Sequence, residues 1–413
     1  MQSLKPSFRS LPRRFRILMV RVGVSNFVFN MNPYNSIYVL ALGASATQLG
    51  LLTSIGTGVS AAFSVLTGWI SDRWDRKTMF LIGAALGILV PTIYLLAPSM
   101  VWLIPAFILY GVSDGILQPP WSALYANSVK NENRGAFYGI ANFFTLMPTL
   151  FAGLVGGAIV ASSGGLNAEG IRPVYLAQAS LLIFSFLFVL RFLEREDKPR
   201  APFDFSVKNM VEDYRRIMRN RGVRSWVLMK SLGSVSIGLA DPFWMLYAAV
   251  VHKASAMTMA YMVTVRTVTN IVLSPIAGKY VDRFGRKKMI ISGRGVMYLA
   301  TIVFIIFGGE PYLLLAWVLM GVNDATGIAW SAKEVELVDE EDRSKITALS
   351  HASFNSLAVP ASILGGFLWD SVSPIAPFLI MMIIDGGIRM QVIHKFVPES
   401  NNSSKHEPAH ETL

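Results

Sequence analysis

The stretch GWISDRWDRKTM at residues 68–79 recurs 210 positions later as GKYVDRFGRKKM at residues 278–289. Each copy follows one long apolar stretch and precedes the next. Other matches keep nearly the same offset: Gly111-Val-Ser-Asp114 with Gly321-Val-Asn-Asp324, and Asn32-Pro33-Tyr34 with Asp241-Pro242-Phe243. When several separate motifs recur at nearly the same spacing, the sequence contains two copies of one structural unit.

The composition indicates an integral membrane protein. Of the 413 residues, 53% are hydrophobic and only 15% are charged. Ordinary soluble domains do not show such an excess of hydrophobic over charged residues. Apolar runs that are long enough to cross about 30 Å of hydrocarbon recur along the whole chain. We predict an all-α integral membrane fold with twelve transmembrane helices in two pseudo-symmetric six-helix halves. The spans, numbered 1 to 12, are predicted at residues 17–41, 48–71, 78–97, 101–126, 136–161, 173–193, 225–250, 257–280, 289–308, 312–333, 346–370 and 374–396.

These spans divide the chain into five parts. A basic tail at 1–16 precedes the N-terminal half at 17–193, and a linker at 194–224 leads to the C-terminal half at 225–396. The residues 397–413 form a polar tail that is predicted to be disordered. The linker is predicted to contain an amphipathic helix that lies on the membrane surface.

The distribution of positive charge predicts the orientation of the chain. Lysine and arginine concentrate in the first tail and the even-numbered connections, whereas the other side has only Arg172 and Lys253. By the positive-inside rule, both termini are predicted to be cytoplasmic, in a multi-pass protein of the cell membrane. The net charge of +11 then reports topology, and no nucleic-acid motif accompanies it.

Several classes of function lack their characteristic residues. The chain has no cysteine, its five histidines form no metal-ligand spacing, and no glycine-rich phosphate loop occurs. We therefore expect neither an enzyme, a cofactor, a metal site nor a nucleic-acid partner. The expected partners are a small-molecule substrate, the lipid bilayer and protons, and the chain is expected to be a monomer.

The repeated Gly-x-x-x-Asp-Arg-x-x-Arg-Lys pattern, between spans 2 and 3 and between spans 8 and 9, resembles the signature of the major facilitator superfamily. Twelve spans with a long middle connection are similar to that family as well, over about residues 15–397. The resemblance implies that spans 1, 4, 7 and 10 line a central cavity and that spans 2, 5, 8 and 11 join the halves. It also implies that the halves rock to expose the cavity to each side in turn.

The repeated motif is expected to gate the cytoplasmic side. By the resemblance, Asp72 meets the start of span 11 near residues 344–349, and Asp282 meets the start of span 5 near 135–138. A carboxylate is favoured at a helix N-terminus, so such contacts would latch this side shut. The alternative is that the basic residues only enforce topology. The predicted gating residues are Gly68, Asp72, Arg73, Arg76, Gly278, Asp282, Arg283 and Arg286.

Charged residues inside the spans are candidates for coupling, because each costs about 2.5–3.5 kcal/mol at the bilayer centre. Asp114 and Asp324 occupy equivalent places halfway along spans 4 and 10. Two central carboxylates suit proton carriage and equally suit a cationic substrate. Alternatively they are structural, hydrogen-bonded between helices or paired with Arg266 of span 8, for which Asp241 is a second candidate partner. The predicted coupling residues are Asp114, Asp324, Asp241 and Arg266.

Polar and aromatic side chains on the inner spans predict the lining of the cavity. Asn26, Asn30 and Tyr34 share one face of span 1, and Pro33 and Pro242 are expected to bend spans 1 and 7. Contact between helices is the alternative role for this face. The predicted lining residues are Asn26, Asn30, Asn32, Tyr34, Tyr38, Gln118, Trp121, Asn323 and Trp317.

Other intramembrane charges lie closer to the ends of their spans. Arg21, Lys230, Arg294 and Arg389 are expected to extend toward the membrane surface, with Asp385 as the partner of Arg389.

These features favour a secondary active transporter that moves a small solute by alternating access. Proton coupling and efflux of amphipathic organic compounds, by antiport, fit the acidic and aromatic residues best. Uptake of a polar metabolite, such as a sugar or an organic acid, is the alternative transport function. A membrane receptor or scaffold built on a transporter fold is the alternative of another class.

Overall fold

The computed structural model describes residues 12–70, 75–127, 144–194, 207–335, 337–338 and 343–396. Regular secondary structure in these ranges is entirely helical, as predicted. Seven of the described helices are long and apolar enough to cross a membrane, in spans 3, 4, 5, 6, 8, 9 and 12. Spans 2 and 11 are single helices of 25 and 29 residues, and spans 1, 7 and 10 are interrupted.

The helices follow the predicted spans in order. In the N-terminal half they are Arg13–Met31 and Asn35–Ala41 (span 1), Ala46–Ile70 (span 2), Arg76–Leu96 (span 3), Leu103–Asn127 (span 4), Thr149–Ser162 (span 5) and Ala168–Phe192 (span 6). The linker contains Val207–Ile217. In the C-terminal half they are Arg221–Ala240 and Trp244–Val250 (span 7), Ala256–Phe284 (span 8), Arg286–Ile306 (span 9), Glu310–Ala325 and Ile328–Val335 (span 10), Arg343–Ser371 (span 11), and Ala376–Met382, a π-helical turn Ile383–Arg389 and Met390–Phe396 (span 12).

Two of the interruptions occur at the predicted prolines. Span 1 stops at Met31 and resumes at Asn35, because Pro33 has no N–H group to continue the helical hydrogen bonds. Span 7 passes through a 3₁₀ turn at Asp241–Phe243 that contains Pro242. Span 10 also breaks, after Ala325, where the Thr326 hydroxyl donates to the Asn323 carbonyl over 2.7 Å. No proline marks that third break.

Different residues precede spans 3 and 9 in the two copies of the repeated motif. Gly285 adopts a φ of 88°, which glycine tolerates without strain. Asp75, at the equivalent position of the first copy, instead caps span 3 and accepts hydrogen bonds from the backbone N–H and the hydroxyl of Thr78. The aspartate is therefore the N-cap of the span 3 helix.

The helices pack in the same way within each half. Span 4 packs against spans 2 and 3, and its counterpart span 10 packs against spans 8 and 9. Between the halves, the extensive contacts run from span 2 to span 11 and from span 5 to span 8. We call the end that carries Arg76, Lys77, Arg221 and Arg286 the basic end, and the other end the opposite end.

A cluster of charged side chains is buried near the basic end of the C-terminal half. Asp385 is fully buried and accepts hydrogen bonds from Arg294 and Arg389, each over 2.8 Å, and from the hydroxyl of Tyr298 over 2.6 Å. Both arginines are more than nine-tenths buried, so the prediction that they extend to the membrane surface was wrong. The pairing of Asp385 with Arg389 is confirmed.

A second pair explains another intramembrane charge. The Lys230 ammonium lies 3.2 Å from the buried carboxylate of Glu334, which also accepts a hydrogen bond from the indole of Trp226. Lys230 is therefore neutralised inside the protein rather than at its surface. Arg21 contacts Ser25 and lies over the Phe80 ring, 5.1 Å from its centroid.

Candidate functional site

A two-point ion pair joins spans 8 and 10 near the middle of the C-terminal half. Arg266 donates from Nε to Asp324 Oδ2 over 2.6 Å and from Nη2 to Asp324 Oδ1 over 3.1 Å. The side chains remain 45% and 25% exposed, although Arg266 lies well inside its helix and Asp324 lies midway along span 10, just before the break. Such exposure at this depth indicates that the pair faces open space rather than a packed core. The structure thus selects Asp324 over Asp241 as the direct partner of the arginine.

The equivalent carboxylate of the N-terminal half has a neutral partner. Asp114, which is half-buried, accepts a 2.6 Å hydrogen bond from the hydroxyl of Ser60 in span 2. One turn earlier, Tyr110 lies within electrostatic range of both Asp114 and Asp241. Asp241 is in turn within range of Arg266. Residues from spans 4, 7, 8 and 10 therefore share one polar region, although the direct contacts differ between the halves.

The two halves touch closely toward the opposite end. The Tyr34 hydroxyl of span 1 donates to the Ala256 carbonyl at the start of span 8 over 2.9 Å. Ser54 of span 2 donates to the Val359 carbonyl of span 11. Gly50 lies so close to the Ser362 carbonyl that a side chain would overlap it. We call these contacts between spans 1 and 8 and between spans 2 and 11 the opposite-end seal.

A carboxylate strengthens this seal at its outer edge. Asp370, at the end of span 11, accepts hydrogen bonds from the backbone N–H groups of Thr47 and Ala46 over 2.8 and 3.3 Å. It also accepts the Thr47 hydroxyl over 2.7 Å. The first turn of span 2 has free N–H groups and a favourable dipole, which an anion satisfies. Sequence reasoning missed this contact, because nothing local relates Asp370 to a helix more than three hundred residues away.

The predicted lining residues of span 1 have separate environments. Asn30 donates back to the Asn26 carbonyl on its own helix, and both side chains are partly exposed. Asn32 donates to Gln178 of span 6 over 3.3 Å, inside the N-terminal half. Tyr38 is fully buried and donates to the Tyr94 carbonyl over 2.6 Å. Tyr38 therefore packs between spans, and its side chain does not face a cavity in this conformation.

The predicted lining residues of spans 4 and 10 are also divided. Asn323 is partly buried beside Asp324, whereas Trp317 is 2% exposed. Trp317 packs edge-on against Trp244 of span 7 and against Phe304 of span 9, with ring centroids 5.9 and 5.0 Å apart. Its burial makes it part of an aromatic core. The side chains of Gln118 and Trp121 lie outside the described residues.

The gating motif is described only in part. Asp72 and Arg73 lie outside the described residues, as do the side chain of Asp282 and the segment 135–138 that was expected to meet it. The start of span 11 near residues 344–349 is described, but Asp72, which was expected to meet it, is not. Gly68 lies near the end of the span 2 helix. Gly278 has open space where a side chain would project. Arg283 lies over the Phe284 ring, and Arg76 and Arg286 begin spans 3 and 9. The latch at the basic end remains a prediction.

Comparison with known proteins identifies the family. The family model described as Major Facilitator Superfamily matches residues 17–261 and 233–386. The chain belongs to this superfamily. It is accordingly a multi-pass membrane protein, and the resemblance that the repeated motif suggested is confirmed.

Its relatives include proteins named for multidrug resistance. The chain is 31% identical over 176 residues to the multi-drug resistance efflux pump PmrA of Streptococcus pneumoniae, a match that covers 41% of this chain and 42% of PmrA. It is 26% identical over 282 residues to the multidrug resistance protein MdtG of Enterobacter lignolyticus, covering 65% and 64% of the two chains. These matches span less than two thirds of either relative.

Solved structures show the same fold. A mutant of the nucleoside transporter NupG superposes with a TM-score of 0.72 at 13% identity, covering 92% of this chain and 98% of that one. A POT family transporter in complex with a thioalcohol-conjugated peptide superposes with a TM-score of 0.69 at 11% identity, covering 94% and 97%. At these identities the likeness concerns the fold alone.

Proposed function

We propose that this transporter exports amphipathic organic compounds by alternating access, in exchange for protons. One observation carries the proposal: among the described residues, an acidic cluster of Asp114, Asp241 and Asp324 shares one polar region with Arg266, on the inner side of the opposite-end seal. Asp114, Asp241 and Asp324 are formally three negative charges against the one positive charge of Arg266. An excess of carboxylates suits the carriage of protons or the attraction of cationic compounds.

The membrane orientation gives this arrangement a direction. With the basic end in the cytoplasm of the cell, the opposite-end seal faces outward, so a substrate would enter from inside. The basic tail and the linker then remain cytoplasmic, and the halves act within one monomer. The names of PmrA and MdtG support export of several compounds rather than uptake of one metabolite.

The chemistry of the arginine argues against an organic acid as the substrate. A carboxylate substrate would need a positive charge that is free to bind it. Arg266, the deep cation among the described residues of the cavity spans, already binds Asp324 through two hydrogen bonds. An anionic substrate would have to displace that partner, whereas a cationic or neutral compound would not.

A flux assay tests the proposal. The purified protein is placed in liposomes that contain a trapped pH indicator, and a fluorescent amphipathic cation such as ethidium serves as the probe. An imposed pH gradient should drive ethidium against its concentration gradient, and an ethidium gradient should move protons in the opposite direction. Movement of ethidium without any proton movement would refute the exchange, and no movement of either would refute the proposed substrate class.

A further inference from the structure

The two halves place spans 2 and 8 in equivalent contact with spans 4 and 10. Gly111 of span 4 lies against the backbone carbonyl of Gly56, and Gly321 of span 10 lies against the backbone carbonyl of Arg266. Both pairs are related by the 210-residue offset of the repeated motif. Because backbone meets backbone at the same point in each half, Gly56 and Arg266 occupy the same structural position.

The chemistry at this shared position differs between the halves. In the C-terminal half this position is occupied by Arg266, whose side chain donates two hydrogen bonds to the carboxylate of Asp324 in span 10. In the N-terminal half Gly56 offers no side chain, and Asp114 instead accepts from the Ser60 hydroxyl, one turn along span 2. Among the described residues, Asp114 thus has the place of Asp324 without an arginine that neutralises it.

In the part of the chain that the structure describes, the helices packed against span 4 supply little positive charge near Asp114. Span 2 has no ionisable residue between Ala46 and Ile70. The ionisable residues of span 3 are Arg76, Lys77 and Tyr94, near its two ends, and Lys77 donates to the Leu190 carbonyl. Within the polar region, Tyr110 interacts electrostatically with both Asp114 and Asp241, and neither of these neighbours of Asp114 carries a positive charge.

We infer that Asp114 is the proton-carrying residue of this transporter and that Arg266 holds Asp324 as a fixed, permanently ionised pair. This inference rests on the proposed function. A guanidinium stays charged, so protonating Asp324 would break two charge-assisted hydrogen bonds and leave Arg266 without its partner. Asp114 forms no ion pair with a described residue, and its partner, the Ser60 hydroxyl, can donate to a carboxylate or accept from a carboxylic acid, so protonating Asp114 keeps this contact. Asp324 is then a positioning element and Asp114 the exchanging one.

The exchange is balanced in atoms and charge. A proton that enters from the outward side converts the Asp114 carboxylate to a neutral carboxylic acid when that side is open. The same proton leaves to the cytoplasm after the halves rock. Deprotonation of Asp114 adds one negative charge to the cavity, and this charge favours the binding of a cationic compound for export.

Three variants separate the two aspartates in the full chain. Asp114→Asn keeps a hydrogen-bond acceptor for Ser60 and removes the titrating group. Asp324→Asn removes one member of the ion pair, and the double variant Arg266→Gln with Asp324→Asn removes both members. Glu169→Gln, a change of the same kind at an exposed residue of span 6, is the matched control. Each protein is measured for pH-driven ethidium transport, for ethidium counterflow without a pH gradient, and for thermal unfolding in detergent.

The inference predicts a different signature for each variant. Asp114→Asn should lose pH-driven transport by about tenfold or more while counterflow continues and the melting temperature stays near that of the control. Asp324→Asn should lower the melting temperature because it leaves Arg266 uncompensated, and the double variant should recover both stability and a pH-driven component.

Two results would overturn the assignment. One is pH-driven transport that persists in Asp114→Asn. The other is a stable double variant whose counterflow continues but whose pH-driven transport is lost, because Asp324 would then be the carrier. If the unmodified protein itself moves ethidium without protons, the proposed exchange fails. The melting temperatures of Asp324→Asn and of the double variant still decide whether Arg266 and Asp324 form a fixed pair.

Discussion

Asp385 illustrates at the scale of one residue how this protein keeps charge inside an apolar fold. A single carboxylate, fully buried, holds two buried arginines and a tyrosine hydroxyl from spans 9 and 12. Arg389 also donates to the Met229 carbonyl of span 7 and lies over the Trp330 ring of span 10, 4.6 Å from its centroid. The network therefore connects four spans, two of which also contribute to the acidic cluster.

The variant Asp385→Asn should destabilise the protein strongly. The amide cannot neutralise Arg294 and Arg389, and removing one partner of a buried ion pair costs about 3–5 kcal/mol. Thermal unfolding in detergent would measure the loss, with Glu169→Gln as the control because Glu169 is largely exposed and forms only a surface pair with Arg172. An unchanged melting temperature for Asp385→Asn would mean that the cluster contributes no net stability.

At the scale of helices, the seal depends on a close approach between spans 2 and 11. A side chain at Gly50 would overlap the Ser362 carbonyl, and one at Gly366 would overlap the Ala46 carbonyl. Small residues permit such contacts between membrane helices, where packing replaces the hydrophobic effect as the source of association. Because the clash involves backbone atoms on both sides, side-chain rearrangement cannot relieve it.

The variant Gly50→Ala should push spans 2 and 11 apart and weaken the opposite-end seal. Gly295→Ala in span 9 is a matched control, since a side chain there meets nothing within 4 Å. Spin labels on cysteines introduced at Ala41 and Val372, near the seal, would report the distance between the halves. The chain has no other cysteine, so labelling is specific. We expect a longer-distance population in Gly50→Ala alone, and identical distributions in the two variants would contradict the packing argument.

The sequence revealed the elements better than their contacts. Apolar runs and prolines are local, so the spans and the breaks at Pro33 and Pro242 could be predicted from them. The direction of a side chain around its helix was harder, because Tyr38 and Trp317 carry the same polar and apolar groups whether they line a cavity or pack in a core. The Arg266–Asp324 pair was among the predicted alternatives, since few partners can satisfy a deep arginine. Asp370 and the break in span 10 depend on tertiary packing, which leaves no local signal.

At the scale of the whole molecule, the position of the seal determines which side can reach the acidic cluster. The described contacts between the halves connect the opposite end to the middle of the spans, through Tyr34, Gly50, Ser54 and Asp370. Tyr110 and Arg266 lie beyond them and keep exposed side chains. Transport by alternating access requires that these residues exchange water with one side at a time.

A single cysteine at Tyr110 should therefore react from one side of the membrane. We expect a membrane-impermeant thiol reagent to modify Tyr110→Cys at least about tenfold faster when it is applied at the basic end than at the opposite end. If the state that is open to the basic end is populated about ten times more than the state that is open to the opposite end, the two reaction rates differ by the same ratio. Inside-out and right-side-out vesicles provide the two exposures. Adding Gly50→Ala to the same chain should raise the reaction from the opposite end, whereas adding Gly295→Ala should leave it unchanged. Equal rates from both sides without Gly50→Ala would show that the seal does not close the path, and faster reaction from the opposite end would reverse the assigned state.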